Sequence, residues 1–546
     1  MIIRGQRRNI HLDRARRRPG PLVLGALAAV LVLGTVGCSS DDDGDDGAGG
    51  GTTTAPANDS GTNGSETGDT DVTGGELGRP AERDRPDEPA AALVGELTAG
   101  GAPMLTDLNE TDLEGHGFVE HEFAVEGTAV RYVAEDPETD LPANGEFNLA
   151  EGDSAPYRTR VAVRRPADAA DFNGTVVVEW MNVSGGIDAN PDYVYLADEI
   201  LRSGYAWVGV SVQHIGVEGG PVAVGIEGTD GLAGKGLKVL DPERYGDLDH
   251  PGDAYAYDIY TQVSRLIRTG DDEGLLGDLD PEAIIAAGES QSAFALTTYA
   301  NGVQPLTQEF DAFFIHSRGG AALPLGGPDA GVGIADAIAG TPTIIRTDLE
   351  VPSIIVQTES DTLGLLNYLP ARQDDGDTIR LWEVAGGAHA DKRLVGPLAD
   401  GLCPVEINDG PTHYVLRAAL HHLNTWARGG EAPPIADRFE IDDSSGTPTY
   451  VRDDDGIIAG GIRTPAVDVP IRVFSGEVAP DSGVACLLMG SSIDIPADRL
   501  AELYPDADTY LSEYQAAVDA AIESGFVLEG DREALEAEAN PELFAG

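Results

Sequence analysis

Hydrophobic and polar positions change texture twice along the chain. Glu120 to Val133 reads as two half-alternating runs either side of Glu126-Gly127, which predicts a hairpin. Tyr157 to Arg165 alternates, with Thr159, Val161 and Val163 on one face and Arg158, Arg160 and Ala162 on the other; this predicts an exposed-edge strand. Short, mostly apolar runs follow at Thr175–Trp180, Ala206–Val212, Ala283–Ala287, Ala312–Ile315, Ser353–Val356 and Ile379–Val384. Helical periodicity lies between them at Asp192–Arg202, Ala254–Arg268, Gln291–Ala300 and Thr412–Arg428. Strands apolar on both faces and alternating with helices are what a parallel sheet covered on both sides requires. The expected fold class is therefore α/β, with antiparallel strands leading into a mostly parallel sheet. Gly319–Thr347, rich in Gly and Ala, is expected to form a lid, and residues 442–546 a C-terminal extension with helices near Ala507–Ser524 and Asp531–Ala539.

The first 95 residues do not follow this pattern. Seven arginines between Arg4 and Arg18 precede an apolar run from Pro21 to Gly37 and then Cys38. A basic segment, an apolar segment and small residues at the junction read as an export signal over residues 1–37. Leu33-Gly34-Thr35-Val36-Gly37-Cys38 resembles a bacterial lipobox, whose cysteine is acylated, and Arg7-Arg8 resembles a twin-arginine signal. Residues 38–95 begin as Asp, Gly, Thr and Ser and continue as Pro, Glu and Arg, too little apolar surface to offset ordering entropy. They are expected to be a disordered tether, leaving 96–546 as the folded body. The body is then expected outside the cytoplasm, held to a membrane by its lipid alone or secreted.

The chain has 546 residues, with 35 Lys+Arg against 94 Asp+Glu and a formal net charge of −59. Nucleic-acid affinity comes from clustered cations, so that partner class is excluded. A field this negative disfavours anionic substrates and favours neutral ones. Of three cysteines, Cys403 and Cys486 remain once Cys38 is assigned to lipid, and a disulfide between them is expected in an oxidising compartment. No Cys-x-x-Cys pair and no zinc-ligand spacing of the ten histidines occurs, so no metal or organic cofactor is implied.

Strand Ala283–Ala287 runs directly into Gly288-Glu289-Ser290-Gln291-Ser292 and then a helix. A nucleophile on a tight strand-to-helix turn needs small residues two before and two after it, and Gly288 and Ser292 satisfy this. Ser290 is the candidate nucleophile. A hydroxyl needs a base, and the base an acid to fix its tautomer. His389, on the loop after Ile379–Val384, is the candidate base. Asp361 is the preferred acid, with Glu359 as the alternative, both just past Ser353–Val356. Oxyanion donors are expected from Gln291 N–H and from Asn182 or Val183, in the loop after Thr175–Trp180.

Taken together, these residues resemble the bacterial "alpha/beta hydrolase domain" family of exported proteins, within the α/β-hydrolase superfamily. Carrying the resemblance are Phe172-Asn173-Gly174-Thr175 through Val178-Glu179-Trp180-Met181-Asn182, Tyr245-Gly246-Asp247-Leu248 and His250-Pro251-Gly252-Asp253. The Gly288–Ser292 turn and Leu381-Trp382-Glu383-Val384 through His389-Ala390-Asp391 complete it. The resemblance implies an esterase-like serine hydrolase. Two alternatives stay open: a non-catalytic ligand-binding lipoprotein on the same fold, and an acyltransferase using the same triad.

Overall fold

In a computed structural model, residues 77–544 are described, apart from short segments at 107–110, 137–140, 227–228, 230, 271–273 and 329. The residues read as an export signal, Cys38 and the first part of the expected tether lie outside the described residues. No helix among the described residues is long and apolar enough to cross a membrane.

A nine-stranded sheet organises the body. Its strands are β1 (Ala92–Glu96), β2 (Phe118–Ala134), β3 (Leu149–Pro166), β4 (Thr175–Trp180), β5 (Ala206–Val210), β6 (Ala283–Glu289), β7 (Ala312–His316), β8 (Ser353–Thr358) and β9 (Ile379–Val384). Their spatial order is β1-β2-β3-β5-β4-β6-β7-β8-β9. β1, β2, β3 and β5 pair antiparallel, and everything from β5 to β9 is parallel. The fold is that of an α/β hydrolase. Successive side chains of a strand point to opposite faces. Accordingly, Val176, Val178 and Trp180 enter one core and Val177 the other. Helices α1 (Pro191–Arg202) and α4 (Thr412–Ala427) cover the second core, while α2 (Ala256–Thr269) and α3 (Gln291–Thr298) cover the first. The chain leaves β4 for β5 on one side and returns to β6 on the other. Such a reversal opens a crevice at the carboxyl ends of the two central strands.

Three expectations are corrected here. There is no hairpin at Glu126-Gly127: β2 runs straight through, with Glu126 opposite Arg158 and Gly127 opposite Tyr157. Gly127 is small for another reason. A Cβ there would stand 2.5 Å from Gln262 on α2 and 2.8 Å from the Tyr157 ring. The stretch read as an edge strand lies inside the sheet, between β2 and β5, and its Arg160 is fully buried. Residues 77–95, expected to belong to a disordered tether, dock on the body instead. Arg428 donates to the carbonyls of Leu77 and Gly78, and Arg83 and Arg85 both pair with the buried Asp311. Composition alone read this strap as disordered, whereas ion pairs to a buried acid hold it.

The 319–347 segment is not a lid. Ala321, Leu323, Val332, Ile334, Ala337 and Ile345 pack into the first core. The C-terminal extension folds around its own core of Val469, Leu500, Tyr510, Tyr514 and Val518, joined to the body through Tyr414 of α4. Asp531 of the extension anchors it by accepting from Arg202 and Arg417.

Candidate active site

β6 ends at Glu289 and α3 begins at Gln291, which leaves Ser290 on the turn between them. Its φ of 57° and ψ of −120° are a conformation that non-glycine residues seldom adopt, so local strain holds the side chain out of the turn. Gly288 makes the turn possible: a Cβ there would lie 3.0 Å from Ser292 and from Leu296. Ser290 N–H donates to the His316 carbonyl on β7 at 3.0 Å, which fixes the turn against the neighbouring strand.

His389 reaches this point from the loop after β9. Its Nε2 is 2.9 Å from Ser290 Oγ and its Nδ1 is 2.7 Å from Asp361 Oδ1. All three side chains are buried. Asp361 is itself fixed, since its other oxygen accepts from Ser317 Oγ, Thr358 N–H and Thr358 Oγ1 at 2.7–2.8 Å. The alternative acid, Glu359, does not touch His389. It accepts from Gly386 N–H, Arg452 and Gly476 N–H instead, and so ties the His389 loop to the C-terminal extension.

Of the two expected donors after β4, Asn182 is corrected. Its backbone N–H bonds the Ala189 carbonyl at 2.9 Å, and its side-chain amide bonds Glu289 at both the carbonyl (3.0 Å) and the carboxylate (3.2 Å). Asn182 therefore braces the turn. Val183 N–H and Gln291 N–H, the latter first in α3, make no hydrogen bond among the described residues. Chemically, a hydroxyl held on a neutral imidazole nitrogen, with a buried carboxylate behind it, can be deprotonated as it attacks a carbonyl.

The sequence matches the alpha/beta hydrolase domain family over residues 86–537. The chain belongs to that family. No curated protein matches it. Among solved structures, a fungal esterase from Rhizomucor miehei aligns at 12% identity over 60% of this chain and 93% of its own, with a TM-score of 0.29. A thermostable esterase from Pseudomonas putida aligns at 13% over 58% and 84%, with a TM-score of 0.28. A putative dienelactone hydrolase from Klebsiella pneumoniae aligns at 13% over 48% and 85%, with a TM-score of 0.24.

In this member of the family, the floor beneath the turn is rich in acids. Glu179, at the end of β4, accepts from Asp192 and Tyr193 N–H at the start of α1. Asp192 Oδ1 meets His316 Nδ1 at 3.0 Å. Burial pushes the Glu179 and Asp192 carboxyls well above the usual carboxylate range. It also takes His316 down to about 4. Glu289 is pushed up to about 7, mainly by burial, although His389 and His316 pull the other way. Burial lowers the His389 pKa, but Glu289 and Asp361 outweigh it and the net shift is upward. Sequence reading named the three side chains that stand in hydrogen-bonded series, Ser290, His389 and Asp361; it missed Glu289, Asn182 as a brace, and the Ser317–Thr358 cradle. Adjacency to Ser290 was the only signal Glu289 offered.

A cavity of about 320 Å³ opens onto Ser290 and His389. Ile187, Val224, Ile226, Leu237, Leu394 and Met489 line its walls, and none of the described residues of 319–347 does. One wall is stapled: Cys403 and Cys486 form the expected disulfide, close in sequence to Leu398 and to Leu488-Met489, all three of which face the cavity. Among the described residues, no cluster of three or more His, Cys, Asp or Glu side chains could hold a metal ion.

Proposed function

We propose that this protein is a serine hydrolase of neutral carboxylic esters with an apolar acyl or alcohol part. One observation carries the reading: Ser290, His389 and Asp361 stand in hydrogen-bonded series at the mouth of an apolar cavity. Ser290 Oγ attacks the ester carbonyl while its proton passes to His389 Nε2. The tetrahedral oxyanion is held by the N–H groups of Gln291 and Val183. As the carbon–alcohol bond breaks, His389 returns the proton to the leaving alcohol, which leaves an acyl group on Ser290. Water, deprotonated by His389, releases the acid and restores the serine. Asp361 keeps Nδ1 protonated and steadies the imidazolium.

The cavity supports the substrate class. Its volume is at the small end of the roughly 300–1,000 Å³ range of ligand pockets, and its walls are aliphatic. The export-type N-terminus and Cys38, together with a disulfide of the kind oxidising compartments permit, support an extracytoplasmic, lipid-anchored location.

A fluorophosphonate tests this directly. The expected result is one adduct, mapped by peptide mass to Ser290 and lost in His389→Ala. No adduct in a folded protein overturns the reading in favour of a ligand-binding lipoprotein. Product analysis with an added alcohol distinguishes hydrolysis from acyl transfer.

A further inference from the structure

Glu289 is the least expected neighbour of the reacting nitrogen. It sits beside Ser290 in sequence and is 4% exposed, with Oε1 3.2 Å from His389 Nε2, the same nitrogen that meets Ser290 Oγ. Its other oxygen is held by the Asn182 amide at 3.2 Å, so the carboxyl cannot swing away without breaking the brace between β4 and β6. No Lys or Arg pairs with it among the described residues. Asp192 at the start of α1, His316 on β7, Asp361 after β8 and His389 after β9 are the charged and titratable groups that act on it, and Tyr195 of α1 feels its charge.

We propose that Glu289 is a catalytic residue, a second carboxylate on His389 that stabilises the imidazolium at Nε2 while Asp361 stabilises it at Nδ1. This rests on the triad reading above. In the resting enzyme Nε2 carries a lone pair, which accepts the Ser290 hydroxyl. An anionic oxygen 3.2 Å away raises the energy of that neutral imidazole and lowers the energy of the imidazolium. Both effects make His389 a stronger base at the moment Ser290 attacks. The proton moves from Ser290 to Nε2 and then to the leaving alcohol, and Glu289 gains and loses no bond.

The arrangement has a consequence for pH. A protonated Glu289 would donate to Nε2 and compete with Ser290, so the productive state has Glu289 ionised and His389 neutral. The two groups titrate as a pair, and both protons must leave before the enzyme is active. The acid limb of kcat/KM should therefore be steeper than a one-proton curve, with its midpoint set by the second loss.

The test is the pH profile of kcat/KM on an activated neutral ester for wild type, Glu289→Gln and Glu289→Asp, each confirmed folded by circular dichroism. Glu289→Gln keeps the size and an oxygen for Asn182 but not the charge. Its acid limb should move to lower pH by at least one unit, the lower end of the roughly 1–3 units a neighbouring opposite charge produces, and become a one-proton curve. Its kcat should fall about 10- to 100-fold. Glu289→Asp should stay close to the wild-type midpoint. A Glu289→Gln profile with unchanged midpoint and slope overturns the proposal, whatever happens to the rate. Fluorophosphonate labelling separates the two failures. If wild-type Ser290 does not react, the hydrolase reading falls; if it reacts and the Gln profile is unmoved, only the role of Glu289 falls.

Discussion

Asp188 and Asp192 are near neighbours in the chain, yet they enter two buried clusters of opposite character. Asp188 accepts from Arg160 at 3.0 Å; Arg160 also donates to Glu122 at 2.9 Å and to Ser211 Oγ. Glu122 in turn accepts from Arg244 at 2.6 Å and from Tyr245. Two acids and two arginines balance, and Arg160, although fully buried, is held charged. Asp192 has only His316 on one oxygen and no partner on the other, and it shares its surroundings with Glu179 and, beyond His316, Glu289. Among the described residues, nothing there supplies a permanent positive charge. The first cluster locks the antiparallel strands to the loop after β4. The second leaves protons poorly placed, and it lies directly beneath Ser290. On the proposed function, unbalanced, desolvated acids mark the reactive end of a scaffold whose balanced pairs are structural.

If that contrast is right, the site should fail in its chemistry and the paired cluster in its stability. Asp361→Asn gives the largest expected change, a fall in kcat of about 10⁴-fold because the imidazole takes the wrong tautomer. Steady-state kinetics with a folded variant check it, and a loss under tenfold would remove Asp361 from the mechanism. Arg160→Met should do the reverse. Stranding Glu122 and Asp188 costs roughly 3–5 kcal/mol in denaturant unfolding, while the folded fraction keeps kcat within a few-fold. A stable Arg160→Met protein would show that the balanced cluster is not a lock.

Glu289→Gln sharpens the comparison through pH. The folded pKa of Glu289 lies above its ordinary 4.5, at about 7, so the folded state binds the extra proton and stability falls as pH rises across that window. The variant lacks this loss. It should gain on wild type by about 1–3 kcal/mol between pH 4.5 and 7, at roughly 1.4 kcal/mol per unit. Unfolding curves at both ends of the window decide it, and a constant difference would show that Glu289 does not titrate there. The smallest change in activity is expected from Glu359→Gln, which sits beside the site but holds Arg452 and two backbone N–H groups. It should lose about 1–3 kcal/mol of stability with kcat nearly unchanged. A kcat collapse would return Glu359 to the list of acids for His389.

Much of this architecture was legible along the chain, and where it was not the cause is specific. Thr175–Trp180 and Ile379–Val384 form strands with the expected bounds, because a strand covered on both faces reads as a mostly apolar run that stands out from its flanks, even with Glu179, Arg380 and Glu383 in it. Ser290 was legible because its turn restricts the sizes of residues on either side. The Glu120–Val133 stretch was misread because a glycine demanded by a crossing helix looks the same as a glycine demanded by a turn. Arg160 was put on an exposed-edge strand because alternation reports which residues share a side, not what pairs with that strand or covers it. Its partners come from Glu122 and Asp188, on other segments of the chain.

The sequence by itself determined the α/β order of elements, the strand-to-helix turn at Ser290 and the chain order of Ser290, Asp361 and His389. These follow from local rules of residue size, periodicity and φ/ψ preference, which act over a few residues. Only the tertiary structure decided that Asp361 and not Glu359 meets His389, that Asn182 braces the turn, and that Glu289 stands 3.2 Å from the reacting nitrogen. It also decided that the cavity is walled by segments on both sides of a disulfide and not by the expected lid. Hydrogen bonds and Coulomb interactions act through space over a few ångströms, and which side chains come that close is set by how the sheet stacks its loops at one edge.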